Sequence, residues 1–383
     1  MRTAPQTKPV ADVTPPARGS AAELALRGND PRKHRRYLPS RGLFRSRTAI
    51  LAVAVVALFA ASVLLGSYTV TVPDFFRILA AHLTGGEKIP GASFIVMEHK
   101  LPRAVVGTLI GAAFGLSGAL FQTMLRNPLA SPDVIGISYG ASAAAVTAIV
   151  VFGASGVVVS GAAFAGALAV AALIYGISRS GSLGSGGQRG DAAGSRLILA
   201  GVGIAAALHA VVSFLMTRAD IRTAAEVLIW LNGSLNSANW DRAGVLGIAL
   251  LVLVPAVAVL AGPLRILELG DDTAAGLGVR VGAVRLGIVV TAVGLAAAAT
   301  AAAGPVAFVA FLAGPIARRF VRRASLPASA LTGVLIVLVA DYFAANIAPL
   351  LLAGTVLPVG VVTGALGAPF LLWLLVTSNR KDA

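Results

Sequence analysis

The sequence predicts an all-α polytopic membrane protein with ten transmembrane helices, and three observations carry that prediction. Of its 383 residues, 57% are hydrophobic and only 12% charged, where a soluble domain carries about a quarter. The mean hydropathy is +0.86, and the apolar residues fall into charge-free runs of roughly 20, the length that crosses a bilayer. Basic residues are also distributed unequally around those runs. Too few polar side chains remain to cover a globular surface, which excludes a soluble enzyme.

Residues 1–47 hold eleven of the 31 Lys and Arg residues and have no apolar period. They read as a disordered basic cytoplasmic arm beside anionic headgroups; a nucleic-acid-binding arm is the alternative reading of the same charge. A secretory signal is excluded because no apolar stretch follows the basic residues directly. The runs then fall at 48–67, 103–123, 134–153, 157–177, 195–217, 243–262, 283–303, 305–317, 327–346 and 357–377. Residues 48–377 form the transmembrane domain and 378–383 a cytoplasmic tail. The eighth run is short for a full crossing, but a single helix over 283–317 would be about 50 Å long and is interrupted by Gly304-Pro305. With the amino terminus inside, 24 basic residues lie on the inner side and 7 on the outer. Both termini are therefore expected in the cytoplasm of a multi-pass plasma-membrane protein.

Small residues predict how the spans pack. Gly107, Gly111 and Gly115 recur every four residues, as do Gly360 and Gly364, allowing backbones to approach where lipid offers no hydrophobic drive for association. The second to fifth and seventh to tenth spans are offset by an odd number, so any repeat between them is inverted.

There is no cysteine and there are four histidines. Disulfides, thiolate metal sites and a cysteine nucleophile are excluded, and no cofactor is expected on this chain. The phosphate-binding pattern GxxxxGK[ST] is also missing from the sequence, so any ATP hydrolysis belongs to another subunit.

Three polar stretches stand out. Residues 125–133, Leu-Arg-Asn-Pro-Leu-Ala-Ser-Pro-Asp, form a turn between two spans; Pro128 and Pro132 stop the incoming helix, and Ser131 or Asp133 can cap the next. In residues 263–282, Gly270-Asp271 can end one turn and begin another, Asp272 suits a helix N-terminus, and Gly278 supplies a stop. A short amphipathic helix is expected there, readable equally as connector or interaction surface. On the opposite side, Lys100 and Arg103 flank Leu101-Pro102 at the start of the second span. Asp341 is the sole acid inside a predicted span, where an unpaired charge costs several kcal/mol; a structural hydrogen bond and proton coupling are the two readings. His209 in the fifth span reads as a packed residue or a ligand.

These stretches, with Leu101-Pro102-Arg103-Ala104, Gly118-Ala119-Leu120-Phe121-Gln122, residues 195–202 (Ser-Arg-Leu-Ile-Leu-Ala-Gly-Val), 230–240 (Trp-Leu-Asn-Gly-Ser-Leu-Asn-Ser-Ala-Asn-Trp), 328–333 and 357–373, resemble the FecCD family of ABC importer permeases. Members carry iron–siderophore complexes, haem or vitamin B12. The resemblance runs from about 48 to 377 and is strongest to ferric-enterobactin-type subunits. It implies a ten-helix permease with a second permease subunit (paralogue or self), two ATP-binding subunits holding ATP-Mg, and an extracytoplasmic substrate-binding protein.

Residue by residue, it implies a cytoplasmic gate at Asn127, Leu129, Gly194 and Ser195, and docking cations at Lys100 and Arg103. The ATPase would be engaged through Leu267, Gly270, Asp271, Asp272, Leu277 and Gly278. Departures are Gly194 itself, Lys100 in place of Arg, Ala345 where a third docking Arg is usual, and Val356 where an acid is usual. A ferric-siderophore permease working by alternating access is the expectation; a haem or vitamin B12 permease, a proton-coupled secondary transporter using Asp341 and a membrane-embedded enzyme are the alternatives.

Overall fold

The computed structural model describes the backbone of residues 41–66, 68–86, 89–133, 136–180 and 191–379; side chains at 41–42, 178–180, 191–198, 375 and 377–379 are outside the description. The predicted arm therefore lies outside the described residues as far as residue 40, and the predicted tail from 380 onward. All regular structure among the described residues is helical: α1 (Arg41–Leu64), α2 (Val72–Thr84), α3 (Ala92–Met124), α4 (Ile137–Phe152), α5 (Val157–Ser180), α6 (Asp191–Arg218), α7 (Ile221–Asn232), α8 (Trp240–Leu267), α9 (Asp271–Gly276), α10 (Val281–Ala303), α11 (Val309–Val321), α12 (Leu326–Leu351) and α13 (Val359–Asn379). Seven of them, α1, α3, α5, α6, α8, α10 and α12, are long and apolar enough to cross a membrane, and α4 and α13 are shorter apolar helices. The eighth predicted run became α11, whose 13 residues extend only about 20 Å at the helical rise.

Two helices have no counterpart among the predicted runs. Thr71 caps α2: its hydroxyl accepts from the Asp74 amide at 3.3 Å and donates to the Asp74 carboxylate at 2.6 Å, with Pro73 in the first turn and Gly85 in the left-handed region closing the far end. Asp220 caps α7 by accepting from the amides of Arg222 and Thr223 at 2.9 and 3.1 Å. The Thr223 hydroxyl, which donates to the other carboxylate oxygen, and those amides hold the Asp220 carboxyl below its usual range. Capping of this kind satisfies amides that an isolated helix start leaves open.

The core is built around α3, which packs on α10, α11 and α12. Its glycines explain the approach to α12: a Cβ on Gly111 would lie 2.6 Å from the Val334 Cα, and one on Gly115 would overlap the Ser329 carbonyl. The expected close contact at Gly360 is against the Asn232 carbonyl, whereas Gly364 faces open space. Because α3 is walled by protein, it can hold polar side chains at membrane depth. Ser117 donates to the Ala292 carbonyl at 2.6 Å, and the Gln122 amide donates to the Phe311 carbonyl at 3.0 Å. α6 is the converse, with Leu199, Val202, Val211 and Phe214 exposed along its length. π-helical stretches interrupt α3 at Ile95–Lys100 and α12 at Phe343–Ile347.

Candidate functional site

Polar clusters mark both ends of α3. Arg103 and Arg126 are separated by about 35 Å at the helical rise, near the thickness of a bilayer core.

At the first end, Pro102 and the π-helical stretch set the start of the regular helix and aim Arg103 across to α12. Its guanidinium grips Asp341 with two nitrogens: Nε lies 2.9 and 3.1 Å from the two carboxylate oxygens and Nη2 lies 2.8 Å from Oδ1. The remaining Nη1 donates to Asn236 Oδ1 at 2.8 Å. Asn236 belongs to the turn between α7 and α8, where its amide bonds the Ser234 hydroxyl at 3.1 Å. One arginine thus ties α3, α12 and the α7–α8 turn. Its side chain is 24% exposed and that of Asp341 8%. Lys100 turns the other way and caps the end of α1, donating to the Leu65 carbonyl at 2.7 Å and to that of Tyr68. Trp240 Nε1 donates to the Met97 carbonyl at 2.7 Å, adding a second tie between the start of α8 and the start of α3. Ala345, four residues after Asp341, is half-buried in the second π-helical stretch, and Val356 is exposed.

At the other end, α3 stops at Met124 and Arg126 takes a left-handed conformation, φ +50°. Asn127 organises the turn: its side-chain oxygen accepts from the Leu129 amide at 2.9 Å, and its carbonyl from the Ala130 amide at 3.1 Å. The sharp reversal sends Arg126 toward the segment between α8 and α10. There its Nη2 donates to the Leu267 carbonyl at 2.7 Å and meets the Asp271 carboxylate at 3.3 Å. Arg285, one turn into α10, grips the same carboxylate at 3.0 and 3.1 Å. Asp271 opens α9, the short helix between Gly270 (φ +113°) and Gly278 (φ +82°). Asp272 shares its first turn, and Leu277 is exposed beyond it. The Asn127 turn and the 263–282 segment are therefore joined by Arg126.

Asp133 lies on the same turn. It does not cap the α4 backbone, whose N-cap residue, Gly136, makes no side-chain bond; instead it accepts from the Ser138 hydroxyl, and its Oδ2 is buried without a partner. Burial pushes this carboxyl above its usual range, opposed by the Ser138 hydrogen bond. Gly194 and Ser195 fall in the first turn of α6, where side chains lie outside the described residues. His209 is exposed on α6, edge-on to the Tyr139 ring at 6.1 Å between centroids. Among the described residues no three His, Cys, Asp or Glu side chains gather closely enough to hold a metal ion.

Sequence reasoning missed Asn236 and the bridging roles of Arg126 and Arg285. Arg126 and Asn236 both stand inside motifs that had been singled out, but their partners are 141 and 133 residues away, and no local period reports that.

Comparison with known proteins identifies the family and the fold. Residues 53–377 match the model of the FecCD transport family. The chain is 37% identical over 339 residues to the Fe(3+)-citrate import system permease protein YfmE of Bacillus subtilis, covering 87% of this chain and 95% of that one. It is 38% identical over 298 residues to the ferric enterobactin transport system permease protein FepG of Escherichia coli, covering 77% and 86%. The cobalamin import system permease protein BtuC of Halobacterium salinarum is 37% identical, with 74% of each chain covered. A solved structure of a metal-chelate type ABC transporter in an inward-facing conformation shares the fold, with a TM-score of 0.71 over 86% of this chain and 98% of that chain at 24% identity.

Proposed function

The chain belongs to the FecCD transport family, and on that premise we propose that it is the permease subunit through which an ABC importer passes a ferric siderophore across the plasma membrane. The relatives that carry ferric citrate and ferric enterobactin support this cargo; cobalamin is the second reading, favoured by the Halobacterium salinarum relative. The chain forms ten crossings with both termini cytoplasmic, counting α4, α11 and α13 with the seven longer helices, and its second to fifth and seventh to tenth spans are inverted repeats. A second permease subunit, two ATPases carrying ATP-Mg and an extracytoplasmic binding protein complete the transporter.

The observation that carries the reading is the Arg126 bridge. Asn127 and Leu129 close the inner mouth, together with Gly194 and Ser195 at the start of α6. The segment carrying Leu267, Gly270, Asp271, Asp272, Leu277 and Gly278 receives the ATPase. Since Arg126 is bonded to Leu267 and Asp271, movement of the segment is delivered to the gate turn by direct contact. Transport then requires two discrete arrangements of that turn, selected by the ATPase state.

At the outer mouth, Lys100 and Arg103 offer positive charge to carboxylates of the binding protein. Arg103 serves there while paired to Asp341, whose two oxygens both accept from it, an arrangement that supports a structural acid over a proton carrier. The test is uptake of radiolabelled ferric siderophore into proteoliposomes holding the assembled transporter. ATP-dependent uptake indifferent to a protonophore is expected; uptake that follows the proton gradient at constant ATP overturns the proposal.

A further inference from the structure

A second polar feature lies on the face where α11 ends beside α13. Arg318 and Arg319 occupy the last turn of α11 and Arg322 and Arg323 follow it; together with Phe370 and Trp373 they line a groove of about 500 Å³. Pro128, beside the gate residue Asn127, closes one side of it. No aspartate or glutamate lines the groove, and none of the ion pairs among the described residues involves Arg318, Arg319 or Arg322.

Two details show that the positive charge is held in place. The Arg319 guanidinium sits over the Trp373 ring at 4.7 Å from its centroid, a stacking that fixes a cation while leaving its edge donors available. Arg322 occupies the left-handed region at φ +59°, the helix-ending position normally given to glycine. Arg47 Nη1 also bonds one carbonyl of the last turn of α11, that of Phe320, at 2.9 Å, so part of the charge at the helix end is met from outside the arginine cluster.

The wall opposite the arginines is apolar, made by Phe370, Trp373 and Leu374, and Leu366, one turn before Phe370 on the same face of α13, is exposed. A free anion has no use for such a wall, and an acidic protein segment would not match an apolar stripe running along a spanning helix. A ligand with an anionic head and hydrocarbon chains matches both parts. The charge distribution puts these arginines on the cytoplasmic side, where anionic lipid attracts basic residues. We propose that this groove binds an anionic phospholipid, its phosphate seated among Arg318, Arg319 and Arg322 and its acyl chains lying along α13. Its position against Pro128 makes the bound lipid a brace for the gate turn.

The experiment is native mass spectrometry of the purified full-length chain titrated with cardiolipin, phosphatidylglycerol or phosphatidylcholine. The expected result is retention of one anionic lipid per chain and none of phosphatidylcholine. Arg318→Gln/Arg319→Gln/Arg322→Gln should weaken retention about a hundredfold, at roughly fivefold per basic residue, while Arg77→Gln on α2 leaves it unchanged. Brominated phosphatidylglycerol should also quench Trp373 fluorescence, measured against a Trp373→Phe variant. If the triple variant does not fold, Arg319→Gln alone should weaken retention about fivefold. Unchanged retention in the folded variants overturns the proposal. So does equal competition by inorganic phosphate, which assigns the site to free anions. Cross-linking of the groove to an acidic segment of a partner subunit, with lipid excluded, overturns it in favour of a protein contact.

Discussion

Removing the Asp341 carboxylate tests the clamp at the Arg103 end of α3. Three close N–O contacts, between 2.8 and 3.1 Å, join Arg103 to Asp341, and stripping one partner from a buried pair costs about 3–5 kcal/mol. Two features lower the figure here. Arg103 is 24% exposed, so water can replace part of what is lost, and its Nη1 keeps Asn236. Asp341→Ala is therefore expected to cost about 2–3 kcal/mol, below that range, and Asp341→Asn, which keeps one acceptor, about 1 kcal/mol. In a double-mutant cycle with Arg103→Met, the second substitution should add little to the first, leaving a coupling energy of about 1.5 kcal/mol. Equilibrium unfolding in mixed micelles, with helicity and tryptophan emission as parallel probes, measures all four corners. Additivity within about 0.5 kcal/mol would refute the reasoning and reduce the clamp to two solvated charges lying side by side.

Other outcomes follow from particular contacts. Arg126→Gln should leave ATPase activity and membrane abundance normal but lower uptake at least tenfold, because it severs the Asn127 turn, the proposed gate, from Leu267 and Asp271; normal uptake would remove the bridge from the mechanism. Asp133→Asn is expected to raise the unfolding temperature at pH 7.5. The folded state holds the Asp133 proton more tightly than the unfolded one, so the wild type gains stability as pH falls through the raised pKa, and the advantage of the variant should shrink as the pH is lowered from 7.5 towards the ordinary carboxyl range. A Cβ on Gly118 would overlap the Ala310 carbonyl, whereas one on Gly161 meets open space; Gly118→Ala should cost about 1–3 kcal/mol or more and Gly161→Ala little, read as retained monomeric protein after heating in detergent. Binding-protein association with the reconstituted complex should slow as salt rises, over a screening length of about 8–10 Å, and Lys100→Glu/Arg103→Glu should weaken it; a salt-independent rate would confine these cations to their contacts within the chain.

The long apolar helices were legible because membrane depth enforces hydrophobicity over a fixed length. α9 was legible for a different reason, since Gly270 and Gly278 bracket it in positive-φ conformations that few other residues adopt. α2 and α7 were passed over because their apolar residues occupy one face only and no long run results. Thr71-Val72-Pro73-Asp74 and Asp220 held the missed signal, a capping side chain just ahead of a helical period. The candidate site was legible only as separate motifs. Arg103 and Asp341 are 238 residues apart, and sequence could flag Asp341 as an expensive charge within a span and Arg103 as a basic residue at the start of another without showing that they neutralise one another.

The polar side chains of α3 also impose a schedule on synthesis. Ser117 and Gln122 bond to carbonyls 175 and 189 residues further along the chain, so α3 emerges from the ribosome long before α10 and α11 exist. At about 5–20 residues per second, a hydroxyl and an amide wait roughly ten to forty seconds for their acceptors. During that interval α3 must shelter beside the insertion machinery or another early helix, because open hydrocarbon offers those groups nothing to bond. A helix largely enclosed by protein in the finished fold is thus the one whose polar groups are most exposed while the protein is being made, and substitutions that are silent in the assembled transporter can still fail at this step.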